Sequence, residues 1–458
     1  MMLKQIFFNI LVYFFTVQAL AQNWANANVP LTITEVKCTY VDTVNNKLYI
    51  SGTIPYSVGI GNAPFCEFDG SAWNYHDTAN NIVFAIQKYH NELYIGGWFT
   101  TINRQPFPYI AKWNGSNWVN IGGNCDGPVL GLKVYNDELY VVGKFTIIAG
   151  IPANKIAKFD GSAWSSLNFP QCNDPGWAIS DCAIYKGDLY VGGNFENANG
   201  QSDMAVLSNG VWKRVGNSDS IHGSFGGVNK LEVYRNYLYA SGLILETEGN
   251  VGNGIQAWDG QRWQKVAAGI QGPDNTINST CGVQDMKQYK GKLFISGNFA
   301  FVDHLPSKGI AVWDGIKWCS IDASFDRTIG CFNIFNDTIY IGTYYTVQGV
   351  FVNGFAKSTL GNYTRTDACG SAYDLSMKEK SAAQLSVYPN PTFSNLNIVD
   401  EQKVFQSSTI EITNGMGQVV MRTSFDSSIN VSHLPGGYYI LSVSTIDKEL
   451  YHTKFIKN

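Results

Sequence analysis

The sequence predicts an all-β protein: a seven-bladed β-propeller followed by a small C-terminal immunoglobulin-like β-sandwich. Three observations carry that expectation. The phrase Leu93-Tyr94-Ile95-Gly96-Gly97 returns along most of the chain, a second phrase pairs an aromatic residue or Leu with a Trp five residues later, and the last 74 residues alternate short apolar strands with Pro and Gly turns. Helical solenoids of comparable period need helix-length apolar stripes at 3.6 spacing, and the chain has none.

The first phrase recurs as Leu48-Tyr49-Ile50, Leu139-Tyr140-Val141, Leu189-Tyr190-Val191, Leu238-Tyr239-Ala240, Leu293-Phe294-Ile295 and, most weakly, Ile339-Tyr340-Ile341. The intervals between its aromatic residues are 45, 46, 50, 49, 55 and 46, the period of four-stranded propeller blades. The second phrase pairs Phe68 with Trp73, Trp113 with Trp118, Phe159 with Trp164, Leu207 with Trp212, Trp258 with Trp263 and Trp313 with Trp318; Ser358 with Tyr363 is a degenerate seventh copy.

Each unit reads as four short strands. The first, such as Val83-Phe84-Ala85-Ile86, turns at a polar pair like Asn91-Glu92, Asn136-Asp137 or Lys186-Gly187. The Leu-Tyr-Ile strand follows, and its closing glycines provide either positive φ or close backbone approach. The third strand enters Asn-Gly or Asp-Gly, which suits a two-residue hairpin turn. The fourth starts at the Trp, whose indole covers the face between neighbouring blades. The doubled glycine with a distant Trp resembles the kelch-type repeat, and residues 154–164 are similar to repeats of secreted bacterial and fungal cell-surface propellers. That resemblance implies a fold and leaves the activity open.

At the front, Lys4, the apolar run Ile6 to Phe15 and Ala19-Leu20-Ala21 read as a signal peptide over residues 1–21. The apolar run is shorter than the roughly 20 residues needed to span a bilayer, and no transmembrane segment is expected in the mature chain. The propeller is expected over 22–363. Asn23-Trp24 echoes Asn117-Trp118, the start of a fourth strand, so a strand at Trp24 is expected to complete the blade containing residues 339–357; Tyr363 is the competing candidate. Residues 364–384 are polar and read as a linker.

Function is expected on one face. Links between second and third strands and between blades are long and irregular, as in 101–108, 168–179, 217–227, 245–254 and 268–282, and variable loops on a rigid scaffold are where recognition sits. Trp98, Phe107, Trp177, His222 and Phe225 are the ligand-binding candidates there, for a glycan or protein partner. A net charge of −4 gives no reason to expect nucleic acid. No catalytic, phosphate-binding, zinc or calcium motif is present, so no cofactor or metal is expected. Carboxylate pairs for glycoside hydrolysis are spatial, not sequential, which leaves a polysaccharide hydrolase or lyase as the alternative, with a structural surface protein as a third reading. Nine cysteines in a secreted chain suggest disulfides, with Cys172–Cys182 and Cys319–Cys331 the nearest pairs.

From residue 385 to 458 the text changes. Tyr388-Pro389-Asn390-Pro391, the turn 414–419, Leu434-Pro435-Gly436-Gly437-Tyr438-Tyr439 and a last basic-aromatic strand closely resemble the type A sorting domain of the type IX secretion system of Bacteroidetes. The resemblance implies export across the outer membrane with this domain as address label, the type IX machinery as partner, and a secreted or outer-surface location. In that family the domain is often cleaved after transit.

Overall fold

The computed structural model describes residues 24–360 and 385–458, apart from 30–32, 34, 54–62, 173, 175, 200–201, 217–226, 246–249, 273–280, 322–324, 326–327, 343–345, 348–349, 353, 400–404, 406–407, 415–418 and 445–449. The leader, the linker, Tyr363, His222 and Phe225 lie outside the described residues. The chain divides into two compact units, with the boundary between Leu375 and Ser376.

Among the described residues of the first unit, seven antiparallel meanders follow one another, the first six each built on four strands in sequence order. Sheet 1 runs Glu35–Asp42, Lys47–Thr53, Ala63–Phe68, Trp73–Ala79. Sheets 2 to 6 start at Val83–Tyr89, Val129–Tyr135, Ala178–Tyr185, Val228–Tyr234 and Gly282–Tyr289. Sheet 7 holds Cys331–Phe335, Thr338–Gly342 and Phe355–Thr359, and its fourth strand is Ala25–Asn26 from the other end of the unit, with Ala25 opposite Lys357. The first strands of consecutive sheets pack side by side, and that of sheet 7 packs against that of sheet 1. The arrangement is a closed, propeller-like ring.

Each junction between sheets holds its own apolar cluster, because a four-stranded sheet has two apolar faces and can bury neither alone. Leu139, Val141 and Phe159 of sheet 3 meet Tyr94 and Ile110 of sheet 2, and Leu48, Ile50 and Phe68 of sheet 1 meet Cys331, Tyr340 and Phe355 of sheet 7. The repeated tryptophans serve these junctions. Phe159 pairs with Trp164 across the hairpin, and the indole N–H reaches back to the Ile121 carbonyl at 2.8 Å; Trp212 does the same to Leu167 at 2.8 Å and Trp318 to Val266 at 3.1 Å. Trp73 donates to Ala27 at 2.9 Å, which continues the pattern across the closure. A second latch escapes the sequence pattern: the Tyr that ends a first strand donates its hydroxyl to the next sheet's turn, Tyr89 to Asp137, Tyr185 to Asn236 and Tyr234 to Gly291, at 2.7–2.8 Å.

Two turn expectations are corrected. The Asp-Gly hairpins are four-residue loops: Phe68 pairs with Trp73, only Gly70 has positive φ, and the Asp69 carboxylate accepts the N–H groups of Ser71 and Ala72. The aspartate side chain takes the place of a second left-handed residue. Two-residue turns with positive φ at both centres do occur, between first and second strands at His90-Asn91 and Asn136-Asp137, so the first of these lies one residue before the expected Asn91-Glu92. The closing glycines act by close approach: an added Cβ at Gly97, Gly143, Gly193 or Gly242 would collide with a carbonyl oxygen of its own sheet's first strand or the residue before it.

The cysteine pairs are corrected as well. Cys172, Cys182 and Cys331 are free thiols, as are Cys38, Cys66, Cys125 and Cys281, while Cys319 is disulfide-bonded. The seven thiols pack as small apolar groups in five of the seven junctions, one each with Cys38, Cys125 and Cys281 and two each with Cys66 and Cys331 and with Cys172 and Cys182, which explains their spread without pairing.

The second unit is two packed sheets. Ser386–Tyr388, Asn395–Val399 and Ser428–Asn430 form one, and Thr409–Asn414, Val419–Ser424, Gly437–Ser444 and Leu450–Lys457 the other. Leu396, Ile410, Ile412, Leu441 and Phe455 are buried between them.

Candidate functional site

The face carrying the long links is more regular than the sequence suggests. In sheet 2 the link between second and third strands is a small hairpin, Thr101–Ile102 with Gln105–Pro106, turning at Asn103-Arg104 with positive φ at both. Ile102 then pairs back to Ala79 of the preceding sheet. The clasp repeats: Cys125 bridges to Ile148, Cys172 to Asn197, Ile270 pairs with Val302, and Phe325 bridges to Val347. A phenylalanine two residues past the glycines, Phe99, Phe145, Phe195 or Phe299, is buried under each of four clasps. Its recurrence at fixed offset was the signal available in the sequence.

On this face Trp98 is 43% exposed, and the Lys144 ammonium, at the same position of the next sheet, lies 5.6 Å from its ring centre. Phe107 is half-buried and packs on the cluster between sheets 1 and 2; Trp177 is half-buried and packs on that between sheets 3 and 4. The three are therefore spread over different junctions, and one of them presents its ring to solvent.

The axis of the ring holds a cavity of about 310 Å³ lined by the first strands of all seven sheets. Six first strands bulge at the same place, between Val36 and Cys38, Val83 and Ala85, Val129 and Gly131, Ile179 and Asp181, Val228 and Lys230, and Val283 and Asp285. A bulge re-aims the residue that follows it. The post-bulge position carries Asp181, Lys230 and Asp285 in sheets 4 to 6, against Cys38, Ala85 and Gly131 in sheets 1 to 3. Two residues on, the same wall carries Lys133 in sheet 3, Glu232 in sheet 5 and Lys287 in sheet 6, against Tyr40, Gln87 and Asn333 elsewhere. At these two positions charge is confined to sheets 3 to 6; Lys37 of sheet 1 also lines the cavity and is paired with Glu35 at 2.6 Å.

The buried aspartates face the backbone. Asp181, 1% exposed, accepts Cys182 N–H at 2.9 Å and, through its other oxygen, Leu231 N–H of the next sheet at 3.1 Å. Asp285, 4% exposed, accepts Met286 N–H at 3.0 Å and Phe332 N–H of sheet 7 at 3.4 Å. The Asp181 carboxylate, 3.9 Å from Lys133 Nζ, raises that lysine's pKa and keeps it charged. Burial pushes the Cys38 and Cys182 thiols up to about 12, so neither is a thiolate nucleophile near neutral pH. Among the described residues no group of three His, Cys, Asp or Glu gathers to hold a metal ion.

In the C-terminal unit, Tyr388 and Tyr438 are exposed, and the Tyr388-Pro389 and Asn390-Pro391 bonds are cis. The Asn390 carboxamide substitutes for a neighbouring strand: it accepts Ile456 N–H at 2.9 Å and donates to the Lys454 carbonyl at 3.0 Å, and Thr392 N–H adds a bond to the Ile456 carbonyl at 2.8 Å. The last strand, an exposed sheet edge, is capped in this way. An added Cβ at Gly436 or Gly437 would meet only ordinary contacts.

The ring and the tail together define a propeller-like repeat protein with a C-terminal address domain. Residues 386–458 match the secretion-system C-terminal sorting domain, which marks the chain for type IX sorting, contact with the secretion machinery and export to the surface or medium. Curated proteins give no match. Among solved structures the chain is similar to PorZ, a bacterial surface component of the type IX system of Porphyromonas gingivalis, at 14% identity and TM-score 0.46, covering 93% of this chain and 59% of that one. It is also similar to the β-propeller domain of the Trilobed protease of Pyrococcus furiosus, at 10% identity and TM-score 0.38, covering 62% and 82%. The extracellular domain of a two-component system of B. thetaiotaomicron is matched at 9% identity and TM-score 0.31, covering 92% and 74%.

Proposed function

We propose that this chain is a closed seven-bladed, kelch-like propeller (residues 22–363) joined by a linker to an immunoglobulin-like sorting sandwich (385–458), exported behind a signal peptide (1–21). At the cell surface or in the medium it acts without catalysis, binding glycan or protein. The observation that carries the reading is the pairing of an export address with a ring whose clasped face presents the Trp98 ring to solvent. Trp98, Phe107, Trp177, His222 and Phe225 are its candidate contacts on the clasped face.

Fractionation of host cells tests the export half. The full chain is expected outside the outer membrane, and a chain ending at residue 384 is expected to stay in the periplasm. Equal surface display of both would overturn the sorting role. For the binding half, a glycan array probed with the full chain and with Trp98→Ala is expected to show a signal that the substitution reduces; an unchanged signal removes Trp98 from the contact surface.

A further inference from the structure

We infer that the axial channel is a binding site for a singly charged oxyanion group, a carboxylate or sulfate ester, on a molecule of about monosaccharide size. Elsewhere in the ring, lysines close tightly on carboxylates: Lys47 on Glu67 at 2.7 Å, Lys88 on Asp42 at 2.7 Å, Lys112 on Glu92 at 2.7 Å and Lys158 on Glu138 at 2.6 Å. The channel lysines do not. Lys133 stands 3.9 Å from Asp181 and Lys287 stands 3.4 Å from Asp285, beyond the 2.7–2.9 Å or so of a charge-assisted bond. Lys230, between these aspartates in the sequence of sheets, makes no ion pair or hydrogen bond among the described residues.

The cause is the orientation of the acceptors. Both aspartates are buried and turned to backbone N–H groups of their own and the following sheet, so neither is free to swing toward an ammonium. Three ammonium groups consequently line one cavity with donors unoccupied, and a lysine ammonium carries three donors and no acceptor. What they lack is a ligand with several acceptor oxygens. The cavity also sets charge and size. Lys133, Lys230 and Lys287 are offset by Asp181, Glu232 and Asp285, and the fourth lining lysine, Lys37, closes on Glu35 at 2.6 Å, so the lining has no surplus that would hold a polyanion and suits a single anionic group. The volume of about 310 Å³ is at the small end of ligand sites.

The inference deepens the binding reading above and rests on it, while the export test is independent of it. The full chain is titrated with glucuronate, glucose 6-sulfate and neutral glucose, followed by calorimetry and by the shift in melting temperature. Saturable binding of at least one anion and none of glucose is expected. Lys230→Gln is expected to weaken that binding at least tenfold and to leave the ligand-free melting temperature unchanged. Lys230→Arg should retain most of the affinity, and Lys213→Gln, on the exposed last strand of sheet 4, should retain all of it. Absence of anion binding at 10 mM (roughly the weakest affinity worth assigning to a site), binding unchanged in Lys230→Gln, or equal binding of glucose would overturn the proposal. So would a lowered ligand-free melting temperature in Lys230→Gln, which would make the lysine a counter-ion of the aspartates.

Discussion

Closure of the ring can be tested at Trp24. This residue is 5% exposed, lies beside the two-residue strand Ala25–Asn26, and packs into the junction of sheets 6 and 7, with its ring edge-on to Phe325 at a centroid distance of 5.2 Å. Its indole N–H has no hydrogen-bond partner among the described residues, whereas that of Trp73 donates to Ala27. Trp24→Ala removes the whole ring and leaves a cavity, a change worth about 3–5 kcal/mol in a packed interior. At roughly 2 °C per kcal/mol for a large domain, the melting temperature should fall by about 6–10 °C. Trp24→Phe should cost much less, because the lost area is offset by removal of an unpaired N–H, which itself costs about 1–3 kcal/mol. Trp73→Phe should cost more than Trp24→Phe, since it strips Ala27 of a donor. Differential scanning calorimetry of the full chain, with the ring and tail transitions separated, supplies the measurement. A Trp24→Ala chain that melts like the parent would show that the N-terminal strand does not close the ring.

Three more outcomes follow from the turns, glycines and thiols. Backbone N–H groups, Ala163 first, hold the exposed Asp160 carboxylate at about 2, below its ordinary 3.8, so its contribution is present above pH 4 and is lost as pH falls toward 2. Asp160→Asn, the acceptor that Asn114 supplies in sheet 2, should leave the melting temperature at pH 7 nearly unchanged and reduce the acid-induced loss, as read from melting curves at stepped pH. Gly143→Ala should abolish soluble folded protein, because the new Cβ meets the Pro128 carbonyl and cannot move it, while Gly150→Ala, with open space and a φ of +77°, should cost only about 1–2 kcal/mol of left-handed strain. A thiol-reactive dye should find at least seven thiols in the unreduced, denatured chain and react slowly with the native one, where Cys172 alone of the seven is more than marginally exposed; fewer than seven would mean that some of them pair.

What was legible in the sequence is what the ring demands of every sheet alike. The Tyr and Trp phrases are visible because each copy fills the same junction, and the pairings of Phe159 with Trp164 and Trp313 with Trp318 fall where five-residue spacing puts them. The strand at Trp24 was legible for the same reason. The Asp-Gly loops were misread because an aspartate side chain imitates a second left-handed residue, and composition does not separate the two. The clasps were read as irregular because their strands are two residues long, too short for alternation to show. The bulges left no residue signature at all. They insert one position at unchanged composition, and so hide which residues of a first strand turn toward the axis.

That concealment is why the charged channel was missed, and it also bears on what the charges are for. At the level of the post-bulge residues, Cys331 of the unbulged sheet 7 donates its thiol to the Val36 carbonyl at 3.2 Å, while Gly131 of sheet 3 and Ala85 of sheet 2 have no polar side chain to offer. The ring therefore closes at those junctions without a buried carboxylate. Two residues further on, Tyr40, Gln87, Ala183 and Asn333 occupy the position held by Lys133, Glu232 and Lys287. Packing tolerates neutral groups at both levels, and placing ionised groups on an inner strand carries a desolvation cost of several kcal/mol each unless they are well paired. Pairing at 3.4 and 3.9 Å compensates only part of that cost. Asp181 and Asp285 serve the architecture by accepting backbone N–H groups of the next sheet, whereas Lys133, Lys230 and Lys287, at positions where other sheets do without a charge, are not explained by it, and an acceptor-rich ligand on the axis supplies the missing compensation.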